Sequence, residues 1–314
     1  MRVVFMGTPE FAVPSLKVLL EYPGVEVAGV FTQPDRPKGR GNKVIPSPVK
    51  VAATEAGIPV YQPEKIRRDG VETLRELKPD LCVTAAFGQI LSREILDIPP
   101  LGNINVHASL LPKHRGSAPI AHAIMAGDAV TGVTTMMMDE GIDTGDMLLT
   151  EETQIGESET CDELTKRLSL IGADVLRKTL DALTGGVLKR IPQNHGEMTY
   201  DPMLRKEMGT TDFSGDADQE RGRINGLNPW PCVSIPWDGE GRLKLLRAVR
   251  AEGKGPAGAF LAADAKAGLV IACGSGAVRI LEVQAPGGKR MRAEDFLRGH
   301  AVTAAAIRKL DSET

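Results

Sequence analysis

Short apolar runs alternate with helical repeats of hydrophobic residues through the first half of the chain. Residues 3–6, 25–32, 60–61, 81–85 and 103–107 predict strands. The segments between them predict helices, and Ser47-Pro48 is typical of an N-cap with proline in the first turn, opening a helix to about residue 56. Strands separated by helices predict βαβ units and a mostly parallel sheet, with its site at the carboxyl ends of the strands.

Further elements follow up to residue 183, and the pattern changes beyond about residue 205. Residues 118–126 predict a short helix, 132–138 a strand, and 160–183 a long amphipathic helix that Gly185-Gly186 ends. Residues 184–204 are rich in Gly, Pro and polar side chains and predict a linker. Short strands separated by glycine turns follow, at 242–249, 268–273 and 277–283. We therefore predict a domain at 1–183, a linker at 184–204 and a small β domain at 205–314, with a barrel as its architecture.

Composition places the chain among ordinary globular proteins. It has 314 residues, of which 42% are hydrophobic and 25% charged. No apolar run reaches the ~18 residues that span a bilayer, and no signal peptide precedes the first strand. The four cysteines form no CxxC pair. A cytoplasmic protein with no membrane partner is expected.

The basic residues are unevenly distributed. Net charge is −3, with 21 Lys and Arg against 27 Asp and Glu in residues 1–204, and 17 against 14 beyond. The segment 33–43, long for a strand-to-helix connection, contains Arg36, Lys38, Arg40 and Lys43. Such a segment suits contact with a phosphate backbone, but a flexible solvated loop fits it equally well.

Asn105, His107 and Asp143 are the candidate catalytic residues. Asn105 and His107 are two apart on a predicted strand and so point to one face, while Asp143 lies in a glycine-bearing acidic loop after another strand. An amide, an imidazole and a carboxylate together suit acyl transfer to an amine, which requires no metal. The alternative is that Asn105 and His107 are core residues with their hydrogen bonds satisfied inside the protein, and that Asp143 is an unrelated aspartate in a turn.

Two cofactor classes are disfavoured by spacing. The aspartates of residues 139–146 match no EF-hand and have no histidine pair nearby, so no metal is expected. The turn after the first strand has one glycine, Gly7, where a dinucleotide fold has three, which argues against a nicotinamide cofactor.

Taken together, these motifs resemble the methionyl-tRNA formyltransferases, a branch of the folate-dependent formyltransferases. The resemblance covers essentially the whole chain and is carried by residues 4–12, 31–37, 46–50, 105–112, 115–116, 118–120, 138, 143–146 and 228–231. Asn-x-His-x-Ser-Leu-Leu-Pro at 105–112 with the later Asp143 is the general formyltransferase signature. The basic segment and Asn-Pro-Trp-Pro at 228–231 narrow the resemblance to the transfer-RNA enzymes.

The resemblance implies an α/β fold: a Rossmann-like formyltransferase domain followed by a small OB-like β-barrel domain that contributes to tRNA binding. It implies formyl transfer from 10-formyltetrahydrofolate to the methionine amino group of initiator methionyl-tRNA. The folate contacts would be Ser109, Leu110, Leu111 and Pro112, and the tRNA contacts Arg36, Lys38, Arg40 and Lys43. No DNA partner is implied, and a monomer is expected.

One position departs from the family pattern. Met203 stands where a lysine is common, although Arg205 and Lys206 are close. The alternatives that stay open are a folate-dependent formyltransferase for a small amine such as a sugar nucleotide, and a non-catalytic RNA-binding module with a decayed enzyme fold. The basic segment argues against the first, and the complete Asn105, His107 and Asp143 set argues against the second.

Overall fold

The computed structural model describes residues 1–38, 43–237 and 241–300. The strands are β1 (Arg2–Gly7), β2 (Glu26–Phe31), β3 (Arg36–Lys38), β4 (Lys43–Ile45), β5 (Val60–Tyr61), β6 (Leu81–Ala85), β7 (Asn103–His107), β8 (Arg115–Gly116), β9 (Val130–Met137), β10 (Met147–Gln154), β11 (Tyr200–Asp201), β12 (Val233–Trp237), β13 (Gly241–Ala251), β14 (Phe260–Asp264), β15 (Gly268–Ala272), β16 (Ala277–Gln284) and β17 (Arg290–Arg292). The α-helices are α1 (Val13–Glu21), α2 (Pro48–Glu55), α3 (Ile66–Asp69), α4 (Val71–Leu77), α5 (Arg93–Leu96), α6 (Pro119–Ala126), α7 (Cys161–Thr184), α8 (Ala217–Gly226) and α9 (Ala293–Gly299).

The chain divides into two compact units. The first consists of Met1–Pro119, Thr131–Thr153 and Thr165–Asp201. The second consists of Ile120–Val130, Gln154–Leu164 and the described residues from Pro202 onward. The second unit therefore includes two short segments that precede its main part along the chain.

A seven-stranded sheet forms the centre of the first unit. Its strand order is β10-β9-β7-β6-β1-β2-β5. The pairs from β5 through β7 are parallel, and β9 pairs with β7 antiparallel. The chain runs from β1 outward to β2 and β5, then returns to β6 on the other side of β1. This reversal creates a crevice at the carboxyl ends of β1 and β6, where open α/β sheets bind ligands.

The strands of this sheet are apolar because helices cover its faces. All five residues of β6 and of β7 are buried. One side-chain cluster beside the sheet includes Val4, Met6, Phe31 and Leu74, and the Phe31 and Tyr61 rings stack at 5.2 Å. The sheet is thus a rigid base for the loops at its edge.

The second unit is built on a curled antiparallel sheet. Its strands follow the order β12-β13-β16-β15-β14, with β17 added to the far half of β16. Phe213, Ile224, Trp237 and Phe296 belong to its core, where the Trp237 and Phe296 rings lie 5.2 Å apart. The predicted fold class, a Rossmann-like α/β domain followed by a small β domain, is confirmed.

Most predicted elements of the first half are present within one or two residues. The Ser47 N-cap is confirmed, since its hydroxyl accepts the Lys50 amide hydrogen at 3.1 Å. The long helix predicted at 160–183 is α7, Cys161–Thr184. Over the described ranges, no helix is both long enough and apolar enough to cross a bilayer.

Candidate active site

Loops from three neighbouring strands are hydrogen-bonded to one another at the crevice. The Thr8 hydroxyl, after β1, donates to the Phe87 carbonyl, after β6, at 3.0 Å and accepts from the Gln33 amide, after β2, at 3.3 Å. The Gln33 side chain donates to the Gly88 carbonyl at 2.9 Å. These contacts fix the loop ends at the crevice.

Asn105 and His107 lie on β7 beside this crevice. They occupy alternate positions, opposite Met136 and Thr134 of β9, and so project to the same face, as predicted. Asn105 is 9% exposed and His107 5%. Within the described part of the chain, the side-chain amide of Asn105 makes no hydrogen bond to another residue. It is therefore available to a ligand.

The structure brings Asp143 to His107. His107 Nδ1 lies 3.6 Å from Asp143 Oδ1, and His107 Nε2 lies 2.8 Å from the His114 carbonyl oxygen. Because a carbonyl only accepts, Nε2 carries a proton and donates to it. Nδ1 is therefore the nitrogen that is not bonded to this carbonyl, and it faces the carboxylate.

Asp143 is held in an uncommon backbone conformation. Its φ is +53°, in the left-handed region that aspartate tolerates better than most residues. The Gly116 amide donates to Asp143 Oδ2 at 2.8 Å. Oδ2 is thus held by a hydrogen bond, and Oδ1 points toward His107.

The turn predicted to contact folate follows β7 directly. Thr134 ties it to β9, donating its hydroxyl hydrogen to the Ser109 carbonyl at 2.8 Å and accepting from the Leu111 amide at 3.3 Å. The Ser109 hydroxyl donates to the Lys113 carbonyl at 2.7 Å. Leu110 and Pro112 are half-buried, and the Leu111–Pro112 peptide is cis.

The basic segment contains a two-stranded antiparallel ribbon, which the sequence pattern does not predict. β3 pairs with β4, and Arg36 is exposed. Val44 and Ile45 of the same ribbon are 63% and 48% exposed. Arg40 lies outside the described residues, and so do the side chains of Lys38 and Lys43.

The start of the ribbon is fixed by a polar network. Lys50 on α2 forms an ion pair with Asp35, and its ammonium also donates to Gln62 Oε1 at 2.8 Å. Gln62 Nε2 donates to Asp35 Oδ1 at 2.8 Å and to the Gln33 carbonyl at 2.9 Å. The hydrogen bonds from Lys50 and Gln62 lower the pKa of Asp35 below its ordinary value.

Several supporting residues escape the sequence pattern. His114, whose carbonyl fixes His107, donates its own amide hydrogen to Thr199 Oγ1 at 2.7 Å and places Nδ1 2.7 Å from Asp201 Oδ2. Asp201 and Thr199 belong to the segment predicted as a linker, where composition alone shows no such contacts. The only available signal is the cluster of hydrogen-bonding side chains between residues 193 and 201.

The described residues contain no group of three or more His, Cys, Asp or Glu placed to hold a metal. The donors at the site are one amide, one imidazole and one carboxylate. That the reaction needs no metal stays a prediction.

Two family profiles cover most of the chain. The profile described as "Formyl transferase" matches residues 1–180, and "Formyl transferase, C-terminal domain" matches residues 203–301. The chain belongs to the formyl transferase family. The resemblance to folate-dependent formyltransferases is thereby confirmed at the level of the family.

Curated relatives within the family match nearly from end to end. The methionyl-tRNA formyltransferase of Geotalea daltonii is 50% identical over 307 residues, which is 98% of this chain and 97% of that protein. The methionyl-tRNA formyltransferase of Acetivibrio thermocellus is 48% identical over 304 residues, 96% and 97% of the two chains. The closer resemblance to this branch is confirmed as well.

Solved structures share the fold of this formyltransferase at low identity. The Helicobacter canadensis N-formyltransferase, solved with folinic acid and dTDP-3-aminofucose, has a TM-score of 0.67 and 18% identity, covering 92% of this chain and 99% of its own. HypX from Aquifex aeolicus, solved with tetrahydrofolic acid, has a TM-score of 0.61 and 18% identity, covering 95% and 47%. At this identity the likeness shows the fold alone.

Proposed function

We propose that this chain transfers the formyl group of 10-formyltetrahydrofolate to the methionine amino group of initiator methionyl-tRNA, for translation initiation. The carrying observation is the pairing of Asp143 with His107 beside an amide, Asn105, that makes no hydrogen bond within the described residues. The identity of about half of all residues with methionyl-tRNA formyltransferases supports this substrate.

Asn105 stabilises the charge that develops during transfer. When the amine nitrogen attacks the formyl carbon, a C–N bond forms and the carbonyl electrons move to oxygen. The Asn105 Nδ2–H group donates to that oxyanion, and removing one such donor typically costs about 10²–10³ in rate. Its buried position excludes competing water and strengthens the hydrogen bond.

Asp143 and His107 take the proton that the attacking amine must lose. Asp143 Oδ1 and His107 Nδ1 face each other, while their remaining polar atoms are held by the Gly116 amide and the His114 carbonyl. A proton received by Asp143 Oδ1 or His107 Nδ1 can then pass to the departing folate nitrogen as the old C–N bond breaks. General acid–base catalysis of this kind contributes roughly 10²–10⁴ in rate.

The turn of Ser109, Leu110, Leu111 and Pro112 provides the folate surface. Its backbone is fixed to β9 through Thr134, and half-buried Leu110 and Pro112 offer apolar contact for a flat ring. This turn begins two residues after His107 and four after Asn105, at the carboxyl end of β7. The residues present therefore fit a folate donor.

The basic ribbon distinguishes a tRNA substrate from a small amine. Arg36 is exposed on β3, and Arg40, Lys38 and Lys43 add charge to the same short segment. Cations on an anchored ribbon suit the phosphates of an acceptor stem. A sugar nucleotide would require no segment with four cations.

The test is formyl transfer from 10-formyltetrahydrofolate, with charged initiator tRNA and free small amines compared side by side. We expect rapid transfer to the tRNA, slowed by added salt, and little transfer to amino sugars or their nucleotides. Transfer to small amines alone would contradict the tRNA assignment while retaining the catalytic trio. Absence of transfer to any amine would contradict the function as a whole.

A further inference from the structure

A buried glutamine outside the catalytic trio contacts the turn that presents Asp143. Gln193 is 6% exposed. Its Nε2 donates to the Asp143 carbonyl at 2.9 Å and to the Gly145 carbonyl at 2.7 Å. One amide group therefore spans the turn from Asp143 to Gly145.

The orientation of that amide is determined by Arg115. Arg115 Nε and Nη2 both donate to Gln193 Oε1, at 3.0 and 2.6 Å. A guanidinium has only donors, so the atom it contacts must be the oxygen, and the Gln193 NH₂ group must face the two carbonyls. Arg115 is itself 3% exposed and also donates to His195 Nδ1 at 3.2 Å.

The turn is held from its other side by β9. The Met137 amide donates to the Asp146 carbonyl at 2.8 Å. A side chain at Gly145 would place its first carbon 1.9 Å from the Met137 carbonyl oxygen. The backbone of the turn therefore packs directly against the backbone of β9. With Gln193 on one side and Met137 on the other, the left-handed conformation of Asp143 has little room to relax.

Gln193 has a defined position because its segment is anchored at both ends. Ile191 exchanges two backbone hydrogen bonds with Met147, each 2.9 Å. Further along, the Arg115 amide donates to the Thr199 carbonyl at 3.0 Å, and β11 pairs with β8. The segment that composition predicts to be a linker thus forms a wall of the first unit.

We propose that Gln193 is a positioning residue for catalysis, which keeps Asp143 Oδ1 directed at His107 Nδ1. The inference rests on the proposed function, since Gln193 acts through Asp143 and touches no reacting atom. Without its NH₂ group, two carbonyls lose their donor and the turn can shift. A displacement of about 1 Å at a reacting group can cost about 100-fold in rate.

The experiment compares Gln193→Met and Gln193→Glu with the unaltered enzyme. Gln193→Met keeps the side-chain length and removes both polar atoms. Gln193→Glu keeps an acceptor for Arg115, now as an ion pair, and so is expected to fold, but it has no donor for the carbonyls. For both, kcat should fall 10- to 100-fold, with KM for tRNA and for folate changed less than twofold.

Two further readouts separate positioning from a general structural role. In single-turnover reactions, Gln193→Met alone should lower the rate of formyl transfer at least 10-fold. Added to Asp143→Asn, it should lower the rate of that variant less than twofold, because its effect passes through Asp143. Hydrogen exchange of the Gly116 amide, which donates to Asp143, should accelerate in Gln193→Met, while that of Phe5 in β1 should not change.

The neighbouring Asn194→Ala is the matched control. Asn194 accepts from the Gly196 amide at 3.1 Å and donates to Glu197 at 2.9 Å, so its contacts stay within its own turn. It should keep full activity. Full activity in both Gln193 variants, or equal losses with and without Asp143, would overturn the inference while leaving the proposed function intact. An unaltered enzyme that forms no formylated tRNA would overturn both.

Discussion

Each candidate catalytic side chain has at least one polar atom that makes no hydrogen bond to another described residue. His107 Nε2 donates to the His114 carbonyl, and Nδ1 makes no such bond. Asp143 Oδ2 accepts from the Gly116 amide, and Oδ1 makes no such bond. Asn105 leaves its amide without a partner among the described residues. Buried polar groups are normally satisfied, so this pattern is typical of atoms reserved for a substrate.

Single substitutions test these assignments. Asn105→Ala should lower kcat by about 10²–10³, and Asp143→Asn, which keeps an acceptor for Gly116 but loses the charge, by about 10²–10⁴. Rates of formyl transfer and melting temperatures check both. Asp97→Asn, at an exposed ion pair with Arg93, removes a charge elsewhere and should have wild-type activity. Near-normal turnover in Asn105→Ala or Asp143→Asn would remove that residue from the mechanism.

Among the elements, α7 shows how far local sequence signals reach. The Glu163 side chain binds the residue before its start: the Thr160 amide and hydroxyl both donate to Glu163 Oε2 at 3.1 Å. The amphipathic repeat predicts the helix, and its ends agree within one residue. By contrast, Glu163 also forms an ion pair with Arg247 on β13. Arg247 lies 84 residues away along the chain, so no local sequence pattern predicts this ion pair.

This ion pair predicts an acid-sensitive contribution to stability. Burial disfavours the charge of Glu163, but Arg247 and Thr160 outweigh burial and lower its pKa from 4.5 to about 2. A lowered pKa stabilises the folded state above pH 4.5, and this stabilisation is lost as the pH falls toward 2. Since the Glu163 side chain is 44% exposed, we expect about 1 kcal/mol.

Glu163→Gln should therefore melt about 2–4 °C below the unaltered protein at pH 7, because Gln still caps the helix but has no charge for Arg247. The difference should shrink as the pH falls below 4.5 and vanish near pH 2. Thermal unfolding at pH 7, 5 and 3 measures it. Glu294→Gln, at the exposed pair with Arg292, is the control. A gap of constant size across this range would show that the ion pair is not its source.

For the whole molecule, sequence patterns predict the class of each unit and miss how distant segments combine. Apolar strands and caps are local, so the parallel sheet and the position of Asn105 and His107 follow from residues read in order. The assignments of Ile120–Val130 and Gln154–Leu164 to the second unit, and the contacts of Gln193 with Asp143, depend on contacts between segments that are far apart along the chain. Such contacts leave no signal in the composition of residues 184–204.

Charge is the property of the whole chain that the function uses most directly. The protein has a net charge of −3, so attraction for a polyanion must come from local clusters rather than from the overall field. The ribbon of β3 and β4 is such a cluster, and the Asp35, Lys50 and Gln62 network holds its start in place. Fixed cations release counterions on binding phosphate, which makes binding depend on salt.

The double variant Arg36→Ala/Arg40→Ala should weaken tRNA binding and reduce the slope of log K against log salt by roughly 1–2, because two phosphate contacts are lost. Hydrolysis of the folate donor should stay unchanged, since the proposed catalytic trio of Asn105, His107 and Asp143 is intact. The control Arg93→Ala/Lys178→Ala removes equal charge at cations already paired with Asp97 and Glu151, and should keep the slope. If both variants kept it, the ribbon would be a solvated surface; if both reduced it alike, net charge alone would explain the attraction.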